Sequence, residues 1–418
     1  MVSSTGAHLS VPPAPVGGAL RILLVAPQPF FEVRGTPLNV LQMVRVLTGA
    51  GHEVHLATYP IGKAIAVPGR FRHFRSPGLP GVRRVAIGFS WRKVVLDALL
   101  ALTVWRRLLT ERYDVVHAVE ESIFFTLPAA RLRRRPVIYD LDSVISDQLR
   151  YSGRVTNRTL LNLVHELETA ALRGSDIALT VSRSLTDAVR ERHPGATVVQ
   201  IEDCPVAESL RAPDPAAVAE LRGRFGLPER GVVVYTGNLE PYQGVDLLLE
   251  AWHEVAERWP GARLLIVGGE DAHIAAARAS LAPSTAETVT FAGPVPPGSI
   301  ADVMGLADVL VSPRRAGDNT PLKLYSYMHS AVPIVATDLW THRQVLDETT
   351  AVLCPPSREG LAEAITAVLA DPAAFAERGR AARARVERDY SPEVFAKKLL
   401  AVYERISTGD FSTRASSA

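Results

Sequence analysis

The sequence predicts an α/β protein with two doubly wound parallel sheets in tandem. Its 418 residues are 47% hydrophobic, which favours two cores over one. In both halves, short apolar segments rich in β-branched residues alternate with helix-length segments, a pattern typical of parallel strands buried on both faces. The predicted strands are 21–27, 53–60, 114–119, 136–141, 176–182 and 197–203 in the first half, and 231–238, 262–269, 288–293, 307–313, 332–338 and 350–356 in the second.

The predicted domain boundary lies near residues 203–215, where the strand pattern stops and Pro and Ala become frequent. Open α/β sheets bind ligands outside the carboxyl ends of their strands, so two such domains facing each other predict a cleft for a small molecule. The predicted segments are a flexible tail (1–18), an N-terminal domain (19–205), a C-terminal domain (206–390), a helix (391–407) and a loose tail (408–418).

Composition narrows the class of protein. Two cysteines, Cys204 and Cys354, exclude a disulfide scaffold and fit a reducing compartment, so we expect a cytoplasmic protein. Residues 1–200 contain 25 Lys/Arg and 15 Asp/Glu, whereas residues 201–418 contain 21 and 29. The basic first half suggests an anionic partner: an acidic lipid surface, a phosphorylated acceptor or the other half of the protein. A solvated basic face without a partner is the alternative, and no motif indicates nucleic-acid binding.

Segment Trp91–Leu109 is the most apolar helical candidate, but Asp97 interrupts it and a membrane span needs roughly 20 apolar residues. Two readings stay open: a buried core helix, or a helix lying on a membrane surface and flanked by basic residues. Those basic residues are Arg92, Lys93, Arg106 and Arg107.

A predicted anion site follows the strand at 307–313. The sequence there continues Asn319-Thr320-Pro321-Leu322-Lys323. Thr320 suits the N-cap of a helix and Pro321 suits its first position. The amides of Leu322 and Lys323 would then be free at the positive end of the helix dipole, and Lys323 adds a full charge.

The same string, Thr36-Pro37-Leu38, follows Gly35 after the first strand. We therefore expect equivalent helix starts in the two domains, both facing one anionic ligand such as a nucleotide-linked diphosphate. The alternative is that Thr-Pro is simply a common way to begin a helix. No dinucleotide fingerprint, P-loop, compact metal-ligand spacing or nucleophile elbow is present.

The stretches at 34–60, 233–252 and 289–338, with the helical end of the chain, resemble family-four retaining glycosyltransferases. The resemblance covers about residues 20–405. It implies the GT-B architecture of two facing Rossmann-like domains. In that architecture the first domain holds the acceptor, the second domain holds the nucleotide, and a C-terminal helix crosses back to the first domain. It also implies transfer of a sugar from a nucleotide diphosphate-sugar with retention, and neither a metal nor another cofactor.

The resemblance places the family's functional positions on particular residues. Its paired glutamates correspond to Asp318 and Ser326, and its diphosphate-binding Arg and Lys correspond to the neutral Asn238 and Gln243. Lys323, Arg314 and Arg315 are nearby candidates to supply the missing charge. The leaving phosphate can take the acceptor proton in such a transfer, so positioning and electrostatic stabilisation matter most.

The remaining predicted positions lie at other strand ends. Glu120 and Asp142 are expected to contact the sugar or the acceptor, or alternatively to cap helices and order loops. Pro294 and Val295 are expected at the nucleobase, and Gly237 allows close approach to the diphosphate. The predicted catalytic residues are Lys323, Asp318, Glu120 and Asp142; the predicted donor-binding residues are Gly35, Thr36, Gly237, Asn238, Gln243, Pro294, Val295, Asn319, Thr320, Leu322 and Ser326.

The sequence thus predicts a nucleotide-sugar glycosyltransferase with a glycan or lipid-linked acceptor and a peripheral contact with an anionic membrane. The alternatives are a sugar-nucleotide epimerase and a non-catalytic protein that binds a nucleotide sugar or a partner. The neutral Asn238, Gln243 and Ser326 favour the non-catalytic alternative, whereas Gly35, Thr36, Asp318 and Lys323 favour the enzyme.

Overall fold

The computed structural model describes residues 18–32, 35–82, 85, 91–145, 157–317 and 319–411. The chain divides into two compact units. The N-terminal unit runs to Glu202 and also includes the segment that begins at Phe395, while the C-terminal unit comprises Asp203–Val394. Most of the two predicted tails, and Asp318, lie outside the described residues.

The N-terminal unit is a seven-stranded parallel sheet in the order β3-β2-β1-β4-β5-β6-β7. Its strands are β1 (Arg21–Ala26), β2 (Glu53–Thr58), β3 (Phe71–Arg75), β4 (Val115–Val119), β5 (Val137–Leu141), β6 (Ile177–Thr180) and β7 (Val198–Gln200). Its helices are α1 (Gly35–Gly49), α2 (Trp91–Thr110), α3 (Ile123–Leu132), α4 (Arg158–Gly174) and α5 (Arg183–Arg192). The strands β1, β2, β4, β5 and β6 are almost wholly buried, as their continuous apolar character predicts.

The C-terminal unit is a six-stranded parallel sheet in the order β10-β9-β8-β11-β12-β13. Its strands are β8 (Val232–Thr236), β9 (Arg263–Val267), β10 (Val289–Gly293), β11 (Val309–Ser312), β12 (Ile334–Thr337) and β13 (Val352–Cys354). Its helices are α6 (Pro215–Phe225), α7 (Val245–Arg258), α8 (Asp271–Ala279), α9 (Pro283–Ala286), α10 (Ile300–Met304), α11 (Lys323–Ser330), α12 (Trp340–Arg343), α13 (Arg358–Ala370) and α14 (Pro372–Asp389). Two apolar cores cover the two faces of this sheet. The predicted class, two doubly wound parallel sheets, is confirmed.

Strand β3 is not among the predicted strands, because its sequence, Phe-Arg-His-Phe-Arg, contains no continuous apolar run. It is an edge strand that pairs only with β2. Its three ring-bearing residues, Phe71, His73 and Phe74, are half-buried, whereas Arg72 and Arg75 are exposed.

The last helix, α15 (Pro392–Thr408), packs on the N-terminal unit. The hydroxyl of Tyr403 lies 2.7 Å from Nδ1 of His117 in β4, and Nε2 of the same histidine lies 3.3 Å from Oδ2 of Asp140 in β5. All three residues are buried. Lys398 pairs with Glu202 at 2.5 Å. The helix is thus tied to the sheet by polar contacts as well as by apolar packing.

The prediction that the two Thr-Pro-Leu strings begin equivalent helices is wrong. Helix α1 follows β1, the first strand of its sheet, whereas α11 follows β11, the fourth strand of the other sheet. In the C-terminal unit the helix equivalent to α1 is α7, which follows β8. The shared string therefore does not mark a repeated site.

Helix α2 combines a buried and an exposed apolar face. Leu96, Leu100, Val104 and Leu108 are buried against the sheet. Trp91 and Leu102 are 64% and 68% exposed. Across the residues that the structure describes, no helix is long and apolar enough to cross a bilayer.

Candidate functional site

The candidate site lies at the carboxyl ends of β8 and β11, which are adjacent parallel strands. From β8 the chain winds outward through β9 and β10 in one direction, and from β11 it winds through β12 and β13 in the other. The loops after such a pair diverge and leave a crevice, which is where doubly wound sheets bind ligands. Gly237 follows β8, and residues 313–322 follow β11.

Lys323 places an amino group in this crevice. Its side chain is half-buried, but Nζ is inaccessible to solvent and makes no hydrogen bond to any described residue. Nζ lies 3.9 Å from the centre of the Tyr235 ring, a cation–π arrangement. Burial lowers the pKa of Lys323 well below its usual value, and the neighbouring Arg314 guanidinium lowers it further.

Arg314 is a second cation at the same place and is only 4% exposed. Its guanidinium donates to the main-chain oxygen of Asn319 at 2.5 Å and lies 5.3 Å from the Tyr242 ring centre. Its own main-chain oxygen accepts from Oγ1 of Thr337 at 2.6 Å. Two buried cations that repel each other favour a bound anion.

The predicted capping geometry at this helix is wrong. Helix α11 begins at Lys323, and Leu322 occupies the N-cap position without a side-chain cap. The carbonyl of Pro321 accepts from the amide of Leu324 at 2.9 Å, so a tight turn precedes the helix and displaces its start beyond Thr320. Thr320 is 5% exposed, and its Oγ1 has no hydrogen-bond partner within the described ranges. This hydroxyl is therefore available to a ligand and not used as a cap.

The loop after β8 approaches Lys323 closely. Gly237 has φ +141°, a conformation that favours glycine, and a Cβ there would lie 3.2 Å from Nζ of Lys323. Asn238 Oδ1 accepts from the amide of Glu240 at 3.2 Å. Gln243 is 8% exposed, and its Oε1 is unpartnered in the described part of the chain. Asn238 thus orders its own loop, while Gln243 keeps an unused buried oxygen.

Other predicted donor-binding residues serve the fold as well. Ser326 is buried and accepts from Oγ of Ser209 at 2.9 Å. Leu322 and Val295 are half-buried and pack against the core under β11. Pro294 is exposed just after β10. The roles predicted for these residues stay predictions.

The predicted residues of the N-terminal unit lie at three strand ends. Gly35 and Thr36 begin α1, with Gly35 exposed and Thr36 half-buried. Glu120 follows β4 with φ +50°, the left-handed conformation that is uncommon outside glycine. Asp142 is buried directly after β5. Their roles also stay predictions.

Two further polar residues near β11 are structural. Nδ1 of His342 donates to the carbonyl of Thr337 at 2.6 Å, and Nε2 lies 3.0 Å from Oγ of Ser312. Burial lowers the pKa of His342 to about 4. Arg315, the neighbour of Arg314, pairs instead with Asp246 at 3.2 Å on α7. Three residues were candidates to replace the positive charge that Asn238 and Gln243 lack. Lys323 and Arg314 lie together, whereas Arg315 forms an ion pair with Asp246.

Tyr235 is the contact that sequence reasoning missed. It lies in β8, two residues before Gly237, and its hydroxyl donates to the carbonyl of Asn238 at 2.6 Å. The signal was available, because an aromatic residue in an otherwise aliphatic buried strand often has a polar partner for its hydroxyl. Among the described residues, no group of three His, Cys, Asp or Glu side chains is placed to hold a metal ion.

Comparison with protein families decides the class of enzyme. A model described as "Glycosyl transferase 4-like domain" matches residues 34–202, and one described as "Glycosyl transferases group 1" matches residues 230–371. The chain belongs to the family-four glycosyltransferases. It is an enzyme of GT-B fold, and the nucleotide-sugar glycosyltransferases are its relatives.

Several relatives of this glycosyltransferase are mannosyltransferases. A phosphatidyl-myo-inositol mannosyltransferase of Mycobacterium leprae is 27% identical over 396 residues, covering 93% of this chain and 98% of the relative. A GDP-mannose-dependent alpha-(1-6)-phosphatidylinositol monomannoside mannosyltransferase of Mycolicibacterium smegmatis is 33% identical over 180 residues, covering 41% and 47% of the two chains.

Solved structures share the fold at lower identity. Sucrose-phosphate synthase from Thermosynechococcus elongatus superposes with a TM-score of 0.76 at 20% identity, covering 94% of this glycosyltransferase and all of that chain. Anabaena HepE in complex with UDP gives a TM-score of 0.69 at 16% identity, covering 92% and 99%.

Proposed function

We propose that this glycosyltransferase transfers a sugar from a nucleoside diphosphate-sugar to an acceptor hydroxyl with retention and without a metal. The observation that carries the proposal is the buried Nζ of Lys323 beside Gly237, which has no hydrogen-bond partner among the described residues. The diphosphate of the donor binds here, held by Lys323 and Arg314 and approached closely by the glycine backbone.

The charges explain why a diphosphate fits. Lys323 and Arg314 lie together in a poorly solvated crevice, where each destabilises the charged form of the other. A bound dianion reverses this effect, because its negative charge stabilises the protonated forms of both side chains. Thr320 Oγ1 adds a hydrogen-bond donor that the described residues leave unused.

The same contacts support the chemical step. As the bond between the anomeric carbon and the phosphate oxygen breaks, negative charge develops on the diphosphate, and the two cations stabilise it. The departing phosphate oxygen takes the proton of the acceptor hydroxyl, and the new glycosidic bond forms on the same face. No protein base is required, and stabilisation of the leaving diphosphate becomes the main task of the site. Lys323→Ala therefore lowers turnover by about 100-fold or more, the effect expected from losing one strong electrostatic donor.

The test is a thermal-shift panel of UDP, GDP, ADP and their sugar conjugates, followed by donor turnover. Lys323→Ala is compared with Lys397→Ala, which removes an exposed lysine of α15. A ligand at 100 times its dissociation constant stabilises by about 2.7 kcal/mol. We expect one nucleotide to stabilise wild type and Lys397→Ala, with EDTA present, and to lose its effect in Lys323→Ala. Turnover of Lys323→Ala within about threefold of wild type would remove Lys323 from the catalytic role.

We further propose that the acceptor is lipid-linked and that the N-terminal unit docks on an anionic membrane. Helices α2, α3 and α4 lie side by side on one face of the sheet: Nε1 of Trp105 donates to the carbonyl of Phe125 at 2.8 Å, and Nε of Arg131 donates to that of Gly174 at 2.8 Å. These helices expose apolar side chains to solvent, namely Trp91, Val94, Val95, Leu102, Trp105, Leu109, Leu132, Leu160, Leu163 and Leu167.

The charge of this three-helix face complements an anionic lipid surface. Glu166 is the one exposed carboxylate in the three helices. The exposed cations in the same helices are Arg92, Arg106, Arg131, Arg158 and Arg173. Exposed tryptophan and leucine among arginines are typical of helices that insert at the headgroup boundary. The phosphatidylinositol-directed names of the mannosyltransferase relatives agree with such an acceptor.

Vesicle co-sedimentation tests this docking. We expect binding to vesicles rich in phosphatidylglycerol at low salt, weaker binding at high salt, and little binding to phosphatidylcholine alone. Leu102→Gln with Trp91→Gln weakens binding, whereas Trp340→Gln, which changes an exposed tryptophan of the other unit, does not. Failure of wild type to bind anionic vesicles at low salt would exclude the membrane proposal and leave the donor site untouched.

A further inference from the structure

Two tyrosines of the C-terminal unit lie against the two basic side chains of the donor site. Tyr235 lies in β8, and Tyr242 lies in the short turn Pro241–Gln243 that follows β8. Nζ of Lys323 lies 3.9 Å from the centre of the Tyr235 ring. The guanidinium carbon of Arg314 lies 5.3 Å from the centre of the Tyr242 ring. Both distances fall within about 6 Å, the range in which the face of a ring attracts a cation.

Tyr235 supports both Lys323 and the loop that follows β8. It is fully buried, and its hydroxyl donates to the main-chain oxygen of Asn238 at 2.6 Å. A Cβ at Gly237 would lie 3.1 Å from this hydroxyl and 3.2 Å from Nζ of Lys323, so ring, loop and amino group are packed together. Phenylalanine at this position would keep the ring and lose the hydrogen bond, whereas leucine would lose both.

Tyr242 lies where the loop after β8 meets the loop after β11. Its main-chain oxygen accepts from the amide of Arg315 at 3.0 Å. A Cβ at Gly244, which has φ +71°, would lie 2.0 Å from the main-chain oxygen of Pro313. The two loops are therefore in contact, and the backbone of both holds the Tyr242 ring beside Arg314.

An aromatic ring supports a cation without neutralising it. A carboxylate beside Lys323 would bond to Nζ and compete with an anionic ligand. A ring attracts the cation through its negative face and leaves the N–H groups able to donate elsewhere. Nζ has no hydrogen-bond partner within the described ranges, so its N–H groups stay available to a phosphate oxygen.

We propose that Tyr235 and Tyr242 are positioning residues of the donor site, which hold the side chains of Lys323 and Arg314 against the diphosphate. Neither tyrosine needs to touch the ligand, because each acts through the basic side chain that it supports. The loop after β8, which is neutral at two positions where the family is charged, thus contributes aromatic rings to the site. This inference rests on the proposed transferase function and adds the residues that orient its two basic groups.

The two rings have different pH signatures, because only Lys323 titrates near neutral pH. The titratable and charged groups that face it in the described part of the chain are Arg314 after β11, His342 of α12 and Tyr235 of β8. Burial lowers the pKa of His342 to about 4 and raises the pKa of Tyr235 well above its usual value, and arginine stays charged. The Tyr235 ring favours protonated Lys323, so its removal lowers the pH at which donor binding begins to weaken.

The experiment measures the affinity for UDP-glucose, GDP-mannose and ADP-glucose by calorimetry, without acceptor, at several pH values from neutral upward. Ionisation of the ligand affects every variant alike, so it cancels in the comparison. Tyr235→Leu should weaken binding of the nucleotide-sugar that wild type prefers about tenfold and move its pH profile about one unit lower, as expected for a desolvated cation–π contact. Tyr242→Leu should weaken binding about threefold or more at every pH without moving the profile.

Conservative variants separate the ring from the hydroxyl. Tyr235→Phe and Tyr242→Phe should restore the wild-type pH profile, with affinities within about threefold of wild type. Fluorinated phenylalanine in place of Tyr235 keeps the shape of the ring but weakens its negative face. It should move the pH profile in the same direction as leucine, and it answers the question where leucine disturbs the fold.

Tyr327→Leu is the matched control. Tyr327 is equally buried beside β8, and its hydroxyl accepts from the amide of Thr236 at 2.8 Å, but its ring packs in the apolar core on the other face of the sheet from Tyr235. This variant should leave the pH profile in place, whatever it does to stability.

A pH profile that Tyr235→Leu shares with wild type or with Tyr327→Leu, or equal losses in the phenylalanine and leucine variants, would overturn the positioning role. A wild type that neither binds nor hydrolyses any of the three nucleotide-sugars would overturn the proposed transferase function instead.

Discussion

Replacing Lys323 by methionine should make the empty protein more stable while it removes the nucleotide site. Methionine keeps the length of the side chain and its contact with the Tyr235 ring, but it carries no charge. In the empty protein Nζ has no hydrogen-bond partner among the described residues and lies near Arg314. Removing an unsatisfied buried polar group recovers about 1–3 kcal/mol.

The pH dependence has a defined sign. The pKa of Lys323 is lowered in the folded state, so the unfolded state binds more protons between the folded and the unfolded pKa. Stability therefore falls as the pH falls through that window, and the penalty is fully present below the folded pKa. The advantage of Lys323→Met over wild type should grow as the pH is lowered from about 10, near the ordinary lysine pKa.

The assay is thermal unfolding of both proteins, alone and with the stabilising nucleotide, from pH 7 to pH 10. We expect the melting temperature of empty Lys323→Met to rise by about 2–4 °C per kcal/mol recovered, and the nucleotide-induced shift to vanish. Simple disruption of the fold cannot give this pair of opposite effects. A lower melting temperature for the empty variant, or a retained nucleotide shift, would refute the electrostatic reasoning.

Three further predictions follow from the contacts. Arg314→Gln should weaken nucleotide binding about 10- to 100-fold by calorimetry, whereas the control Arg315→Gln, which changes a side chain that pairs with an acid on α7, should keep the affinity within about threefold of wild type. Equal losses of affinity in the two variants would show that Arg314 has no specific role in binding the nucleotide. The protein should take up protons when the nucleotide binds, because a diphosphate raises the lowered pKa of Lys323. Calorimetry in two buffers of different ionisation enthalpy measures this proton uptake, and Lys323→Met should abolish it. Tyr403→Phe should lower the free energy of unfolding of the N-terminal unit by about 1 kcal/mol in urea, because it removes the buried bond to His117 without touching the nucleotide site. No change would mean that this bond does not stabilise the packing of α15.

The fold was predictable from the sequence because buried parallel strands carry a local signal. All twelve predicted strands exist, and those in the middle of the two sheets are continuous apolar runs buried on both faces. Strand β3 lacks that signal, because this edge strand is only partly buried and contains two arginines among its five residues. The start of α11 was misplaced because Thr320-Pro321 fits a cap locally, whereas the tight turn closed by Pro321 and Leu324 decides where the helix begins.

The candidate site was predictable only in part, because its decisive contacts join residues far apart in the sequence. Lys323 was identified from its local position at a helix start, but its placement over Tyr235 and beside Gly237 depends on the pairing of β8 with β11. No spacing rule connects such residues before the strand order is known.

The strand order also explains how a diphosphate site can survive without charge at two positions where the family carries it. Those positions, Asn238 and Gln243, lie on the loop after β8, whereas Arg314 and Lys323 lie on and just after the loop that follows β11. Because the two strands are adjacent, both loops border the same crevice, and Nζ of Lys323 reaches the backbone of Gly237. A ligand in that crevice meets a positive charge from whichever loop supplies it. We therefore expect Arg314 and Lys323 to supply, at the proposed diphosphate site, the positive charge that Asn238 and Gln243 lack.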